Sequence, residues 1–464
     1  MSLFETKIDF ASSKAGEDFT AFINKKRDFI TAGSIISFAY PLKNIDLINT
    51  INTVQEKFPN FIFIKRPQKN YSFIAIDQLI NLEFDQIKFT QLEPIITKLN
   101  SSLISNWSDY NLETVPFITG GAKFNSKSNS DEWIDFKSFH FFVPGIIFLK
   151  DEEKSFVISN HKISPSFDEE KILKEFSEVI SFARSLEENR NGKYHSALGA
   201  SKLLKNNKVQ WADLVNDSLK QLNSEFTKVV LSRRIEVETK NGMDWHTCFE
   251  KLESENTNGY LFLFKSKDSA FFGASPEKFL SIHSNKLEID ALAGTSSCES
   301  KAVEEELLND KNLHEHRIVI DFIRNALSGF ASKIEIDEQP RIKKLRNVNH
   351  LYSKIDAELN SHKDVLKLID VLFPTPAVCG LPKQRAYQAI SELEKFDRGL
   401  FSGLIGWIDP FMNCEFTVAI RSALYKNHKL FLYAGAGIVK ESNPEEEFFE
   451  TELKFKTILN LFDE

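Results

Sequence analysis

The last fifty residues constrain the fold most, because two strand patterns there run directly into a capped helix. Glu415–Ala423 (EFTVAIRSA) alternates apolar and polar residues as a strand does, with a single arginine, Arg421, near its end. Lys429–Val439 (KLFLYAGAGIV) is a second strand that enters Gly435 and Gly437. Asn443 and Pro444 then supply the N-cap and first residue of a helix. Glu445, Glu446 and Glu447 fill its first turn, where the helix dipole favours negative charge.

The spacing gives this helix two faces. Phe448, Phe455, Leu459 and Phe462 form the predicted buried stripe. Glu447, Glu450 and Lys454 fall at i, i+3 and i+7 and line up on another face. Such a face can be a solvated surface with an acidic start. It can equally be two carboxylates spaced to share a hard cation, with a lysine one turn on to hold an anion. Mg²⁺ commonly takes one or two protein carboxylates together with waters and ligand oxygens. The AGAG run upstream favours the second reading, since glycines let backbone amides approach an anionic ligand closely.

Composition excludes several classes. The 464 residues suffice for one large or two ordinary domains, and the net charge of −8 argues against a nucleic-acid partner. No apolar run approaches the roughly 20 residues of a membrane span, and MSLFETKIDF lacks the pattern of a signal peptide. Cys248, Cys298, Cys379 and Cys414 are far apart with no CxxC, which suits buried thiols in a reducing cytoplasm. The 42 phenylalanines are a compositional habit and point to no chemistry.

Along the chain, Ser34–Tyr40, Asn60–Arg66 and Tyr71–Ile76 are predicted strands, with helices over Leu92–Trp107 and Asp168–Leu186. PFITGGAKF (Pro116–Phe124) and FHFFVPGIIFLK (Phe139–Lys150) lie between the helices, and the Gly120–Gly121 pair alone means no more than a turn. Glu188–Asn206 is polar and marks the boundary between an N-terminal half, 1–205, and a C-terminal half, 206–464. A helix then delivers the chain into a strand, Lys228–Arg234 (KVVLSRR). Lys228 is either a strand-end lysine reaching solvent or a general base; the second needs it desolvated or set near other cations. Strands Tyr260–Phe264, Ala270–Ala274 and Lys278–Ile282 follow, with Ser275-Pro276-Glu277 in the turn between the last two. Glu277 is an ordinary surface acid unless burial or another carboxylate raises its pKa. Ile289–Thr295 is a strand ending in a glycine turn, and Glu304–Leu327 is helical with a break near Asn309-Asp310. His314-Glu315-His316 is a poor zinc motif, because residues two apart point to different sides of a helix. His350 can be a hydrogen-bonded core histidine or a pocket residue.

AIRSA, LYAGAGIV and NPEEEFFETELK resemble the C-terminal block of the chorismate-utilising enzymes, which include isochorismate, salicylate, anthranilate and aminodeoxychorismate synthases. The resemblance is dense from about Val209 onward and loose before it; Gly120-Gly121 and Val143-Pro144 resemble sheet-edge features of the family's variable half. It implies the α+β chorismate-binding fold, like that of anthranilate synthase component I: an antiparallel sheet core with helices outside. By the same resemblance Lys228 is the general base, Glu277 of SPE the general acid, and Glu315, Glu447 and Glu450 the ligands of Mg²⁺. Ala293, Gly294 and Thr295 (ALAGT) bind substrate, with His350 near its ring. Arg421, Lys454 and the backbone of Gly435, Ala436 and Gly437 hold its anionic groups. Thr375, Ala377 and Val378 in PTPAVCG shape the pocket, and that loop resembles the isochorismate synthases among the relatives. Two departures stand out: Ser296-Ser297-Cys298 replaces the arginine and glycine many relatives carry, and Phe401 stands where many have tyrosine.

The implied activity is Mg²⁺-dependent conversion of chorismate to isochorismate, by water addition at C2 with loss of the C4 hydroxyl, without a glutaminase subunit, by a cytoplasmic monomer. An aminating synthase, a salicylate synthase and a catalytically dead chorismate-binding protein are the alternatives. Menaquinone and catechol siderophore synthesis both stay open as destinations of the product.

Overall fold

The computed structural model describes residues 13–66, 70–126, 130–188, 200–203, 208–222 and 224–462. Most of the expected boundary segment, 189–199 and 204–206, lies outside the described residues.

The strands between 260 and 283 explain the architecture. YLFLF has no polar alternation, so both faces of that strand must be buried. Leu261 and Leu263 belong to one apolar cluster, which also takes in helix residues such as Ile51 and Phe249, whereas Phe262 and Phe264 turn to a second cluster with Phe73, Phe141 and Phe271. Tyr260–Ser266 pairs antiparallel with Phe61–Arg66 on one side and with Ser269–Ser275 on the other. From there the ladder continues through Ser422–Lys426 and Lys429–Ile438 to Lys228–Thr239.

A second arm starts at the long strand Phe139–Asp151. Its first part pairs with Ile118–Ala122, which pairs in turn with Leu404–Ile408. That arm runs on through Cys414–Val418, Lys278–His283 and Lys286–Ser297 to Val348–Leu359. All of these ladders are antiparallel; Ile35–Leu42 with Leu103–Ser105 is a parallel one. The result is the expected α+β class. The two halves share ladders, since Phe61–Arg66 and Ile118–Ala122 each pair with a strand from beyond residue 206.

Several local expectations are corrected. Gly120-Gly121 is neither a turn nor a sheet edge: it lies inside a strand paired on both sides, and a Cβ on Gly120 would meet the His140 carbonyl oxygen at 2.1 Å. The helix expected to reach Trp107 spans Glu93–Ser102 and gives way to the strand Leu103–Ser105. Tyr71–Phe84 is far longer than the strand expected to end at Ile76. Cys248, Cys379 and Cys414 are buried free thiols, but Cys298 is exposed. No helix among the described residues is long and apolar enough to cross a membrane.

Candidate active site

The site forms where Lys228–Thr239 and Lys429–Ile438 lie side by side. Their register pairs Val230 with Gly437 and Ser232 with Gly435, so these residues share one face. Val230, Gly435 and Gly437 line a cavity there. Ala436 points the opposite way, into an apolar cluster with Val229, Leu231 and Ile438, so its side chain is not part of the pocket.

Lys228 begins its strand fully buried, and its Nζ lies 2.9 Å from Glu315 Oε1. It does not itself line the cavity; Glu315, from the helix Asp310–Leu327, stands there instead. The desolvation expected for a base is present, but the nearest charge is a carboxylate rather than another cation. Arg233 lies over the rings of Phe448 and Phe455, and Arg234 pairs with Glu132 and Glu236. Gly437 makes room for the buried pair: a Cβ there would fall 2.1 Å from Glu315 Oε1 and 3.1 Å from Lys228 Cε.

Glu277 lies between Ser269–Ser275 and Lys278–His283, is buried, and lines the same cavity. Its backbone is pinned: its carbonyl accepts from the Thr417 hydroxyl at 2.7 Å and from the Val418 amide at 3.2 Å. Burial pushes its carboxyl up to about 8, Asp290 adds to the rise, and Lys343, Lys228 and Lys454 oppose it. Lys228 therefore acts electrostatically on Glu277, although it stands behind Glu315.

Arg421 was expected near the end of a strand. It is instead at a corner: the chain pairs over Cys414–Val418, breaks, and pairs again over Ser422–Lys426, with Arg421 at φ 53°. Hydrogen bonds from Ala419 N to Gly403 O and from Ala274 N to Arg421 O hold that corner. Arg421 Nη2 lies 2.8 Å from His350 Nε2, and a guanidinium has only donors, so Nε2 must accept. The imidazole proton therefore sits on Nδ1, 3.1 Å from the Gly294 carbonyl oxygen. Burial, with Arg421 and Lys454, holds His350 well below its ordinary pKa, so the ring is neutral. Gly294 is no strand end; the strand continues to Ser297, with a register shift at this residue and φ of 76°.

The remaining expected residues divide. Ala293, Gly294, Thr295, Ala377, Val378 and Lys454 line the cavity; Thr375 is buried beside it but does not. The loop carrying Thr375, Ala377 and Val378 closes with the Cys379 amide donating to the Thr375 carbonyl at 3.0 Å. The C-terminal helix, Pro444–Leu459, is capped as expected, with Asn443 Oδ1 accepting from the Glu445 amide at 2.9 Å. The expected stripe does face inward, with Phe455 buried and Phe448, Leu459 and Phe462 partly buried against apolar clusters, but the buried side is broader than that stripe. Glu447, Thr451 and Ile458 are buried along with Phe455, while Phe448 is partly exposed.

The three acids expected to share a cation are not gathered as a ready ligand set. Among the described residues, no three His, Cys, Asp or Glu side chains stand close enough to hold an ion. Each acid is drawn to an ammonium instead: Glu315 to Lys228, Glu447 to Lys311 at 2.6 Å, and Glu450 to Lys454 at 2.5 Å. The donor chemistry nevertheless fits a hard cation. Burial and then the neighbouring Glu450 push Glu447 up to about 7, the mutual repulsion that a divalent ion relieves. Glu315 stays below the ordinary carboxylate range: burial opposes this, but Lys228, Lys311 and Lys454 outweigh it. His314 is exposed, while His316 is buried against the Ser353 hydroxyl at 2.9 Å, so the two histidines share no site.

Sequence reasoning missed Lys311 and Tyr433. Tyr433 lines the cavity and stacks on Phe401 with centroids 5.3 Å apart; both sit within motifs already singled out. It also missed Arg398, whose buried guanidinium donates to the carbonyls of Val230 at 2.7 Å and Val378 at 3.0 Å, tying the strand to the pocket loop.

Comparison with known proteins identifies the family and the fold. The chain is 27% identical over 444 residues to the isochorismate synthase MenF of Bacillus subtilis, covering 92% of this chain and 93% of the relative. It is 31% identical over 352 residues to the salicylate biosynthesis isochorismate synthase of Pseudomonas aeruginosa, covering 74% and 73%. The solved structure of the menaquinone-specific isochorismate synthase MenF from Escherichia coli shares the fold, with a TM-score of 0.75 at 22% identity over 96% of this chain and 99% of that one. Anthranilate synthase component I from Streptococcus pneumoniae does so with a TM-score of 0.68 at 23% identity, over 84% and 92%. The family profile described as "Chorismate binding enzyme" matches residues 21–463, and the chain belongs to that family of enzymes.

Proposed function

We propose that this chain is an isochorismate synthase, converting chorismate to isochorismate with Mg²⁺ as cofactor. Glu277 carries the reading. A buried carboxyl turned into the cavity, with a pKa near 8, keeps its proton at neutral pH and can give it to a leaving hydroxyl. The names of the relatives from Bacillus subtilis and Pseudomonas aeruginosa support the same reaction.

In the proposed mechanism Lys228 takes a proton from a water molecule, whose oxygen adds at C2 of chorismate. The ring double bonds shift, and the C4 hydroxyl accepts the Glu277 proton and leaves as water. One water enters and one departs; Lys228 returns its proton, and Glu277 regains one, through solvent. Lys228 can serve only as a neutral amine, so it must shed a proton before it takes one from water, and its remaining N–H can still donate to Glu315. Arg421 suits a substrate carboxylate because its planar fork can bind both oxygens, and His350 fixes its orientation. Lys454, donating to the Gly435 carbonyl at 2.8 Å, adds positive charge beside the glycine backbone. Glu315, Glu447 and Glu450 would hold Mg²⁺, which when bound neutralises the ring carboxylate of the substrate.

The test is product identification by chromatography, with purified protein, chorismate and Mg²⁺ but neither glutamine nor ammonia. Isochorismate is the expected product. Salicylate with pyruvate, or an aminated ring, would overturn the assignment.

A further inference from the structure

Lys311 has no part in the mechanism above, yet it sits among the acids of the site. It lies one helical turn before Glu315 on Asp310–Leu327, on the same face. Its ammonium donates to Glu447 at 2.6 Å, and Glu447 is 1% exposed, so little water competes for that contact. The charges of Glu447, Glu450 and Glu315 all bear on Lys311. Lys228 and Lys454, which hold the other two acids, have work to do on the substrate. Lys311 does not line the cavity.

We infer that Lys311 is a built-in competitor of the divalent ion: it holds Glu447 when no metal is bound and thereby sets the metal affinity. The inference rests on the metal reading proposed above. A monovalent ammonium on a tether keeps the buried carboxylates from repelling one another, and a divalent ion entering beside it meets both its charge and its hold on Glu447. Removing the ammonium should weaken the metal-free protein and tighten metal binding, opposite signs that a merely structural lysine would not produce.

The experiment measures free Mn²⁺ by electron paramagnetic resonance during titration of the wild type, Lys311→Met and Lys311→Arg, with thermal melts in EDTA and in saturating Mn²⁺. Lys311→Met should bind Mn²⁺ about tenfold or more tightly than the wild type. It should melt lower in EDTA and recover with Mn²⁺, while Lys311→Arg keeps wild-type affinity. If Lys311→Met does not fold without metal, Lys311→Gln takes its place in the titration. Unchanged or weaker Mn²⁺ binding in the neutral variant overturns the competitor role while leaving the metal site standing. Absence of Mn²⁺ binding by the wild type, with and without chorismate, removes the metal reading and this inference together.

Discussion

Replacing Glu277 by glutamine keeps the shape of the side chain and removes its ionisation. In the folded enzyme the carboxyl titrates near 8, against an ordinary value of 4.5. Between those values the folded protein holds a proton that the unfolded chain has shed. Stability from this group is therefore complete below about pH 4.5 and is lost as pH rises through 8. The slope is about 1.4 kcal/mol per pH unit, or roughly 3 kcal/mol between about pH 5.5 and pH 8. Glutamine has no such slope, so the variant should gain about that much on the wild type across the interval. Comparing the two proteins at each pH cancels other titrating groups, including Asp409, which burial raises to about 7. Guanidinium chloride unfolding at the two pH values reads the difference directly. Turnover should fall by about 10²–10⁴-fold, the usual contribution of a general acid, with chorismate binding retained. A stability difference that does not change with pH would refute the reasoning, because Glu277 would then not be a buried neutral acid.

Gly437→Ala should abolish most turnover without unfolding the protein. Its methyl group must push the Glu315 carboxylate, a movable side chain, out of its place at the cavity and so out of the proposed metal site; wild-type activity measured by the product assay would contradict this. Lys228→Ala should still bind chorismate but lose turnover, and leaving Glu315 without its partner should cost about 3–5 kcal/mol in metal-free unfolding experiments. Full rate in that variant would place the base elsewhere.

Much of the site was legible because local chemistry dictated it. Asn443-Pro444 with acidic residues after it can only start a helix well, and it does. The alternation that turns Gly435 and Gly437 inward also turns Ala436 outward, so the three could not act as one backbone cradle with equivalent side chains. Arg421 shows where local pattern fails. EFTVAIRSA keeps a strand period through a corner that is set by contacts with Gly403 and Ala274, distant in sequence. The acidic face of the last helix is buried rather than solvated because Lys311, 136 positions away, meets Glu447 there. No periodicity reports a partner at that separation. Spacing could show Lys454 one turn from Glu450, but for the same reason it could not show the lysines attached to Glu315 and Glu447, nor that Glu315 rather than Lys228 faces the cavity.

In the proposed reaction solvent water, activated on one side of the ring, replaces a hydroxyl expelled from another carbon. Running the reaction in H₂¹⁸O and locating the isotope by NMR and mass spectrometry tests that most directly. The expected result is one solvent oxygen in each isochorismate molecule, attached at C2. An unlabelled product, in which the original hydroxyl has migrated within the ring, would contradict it.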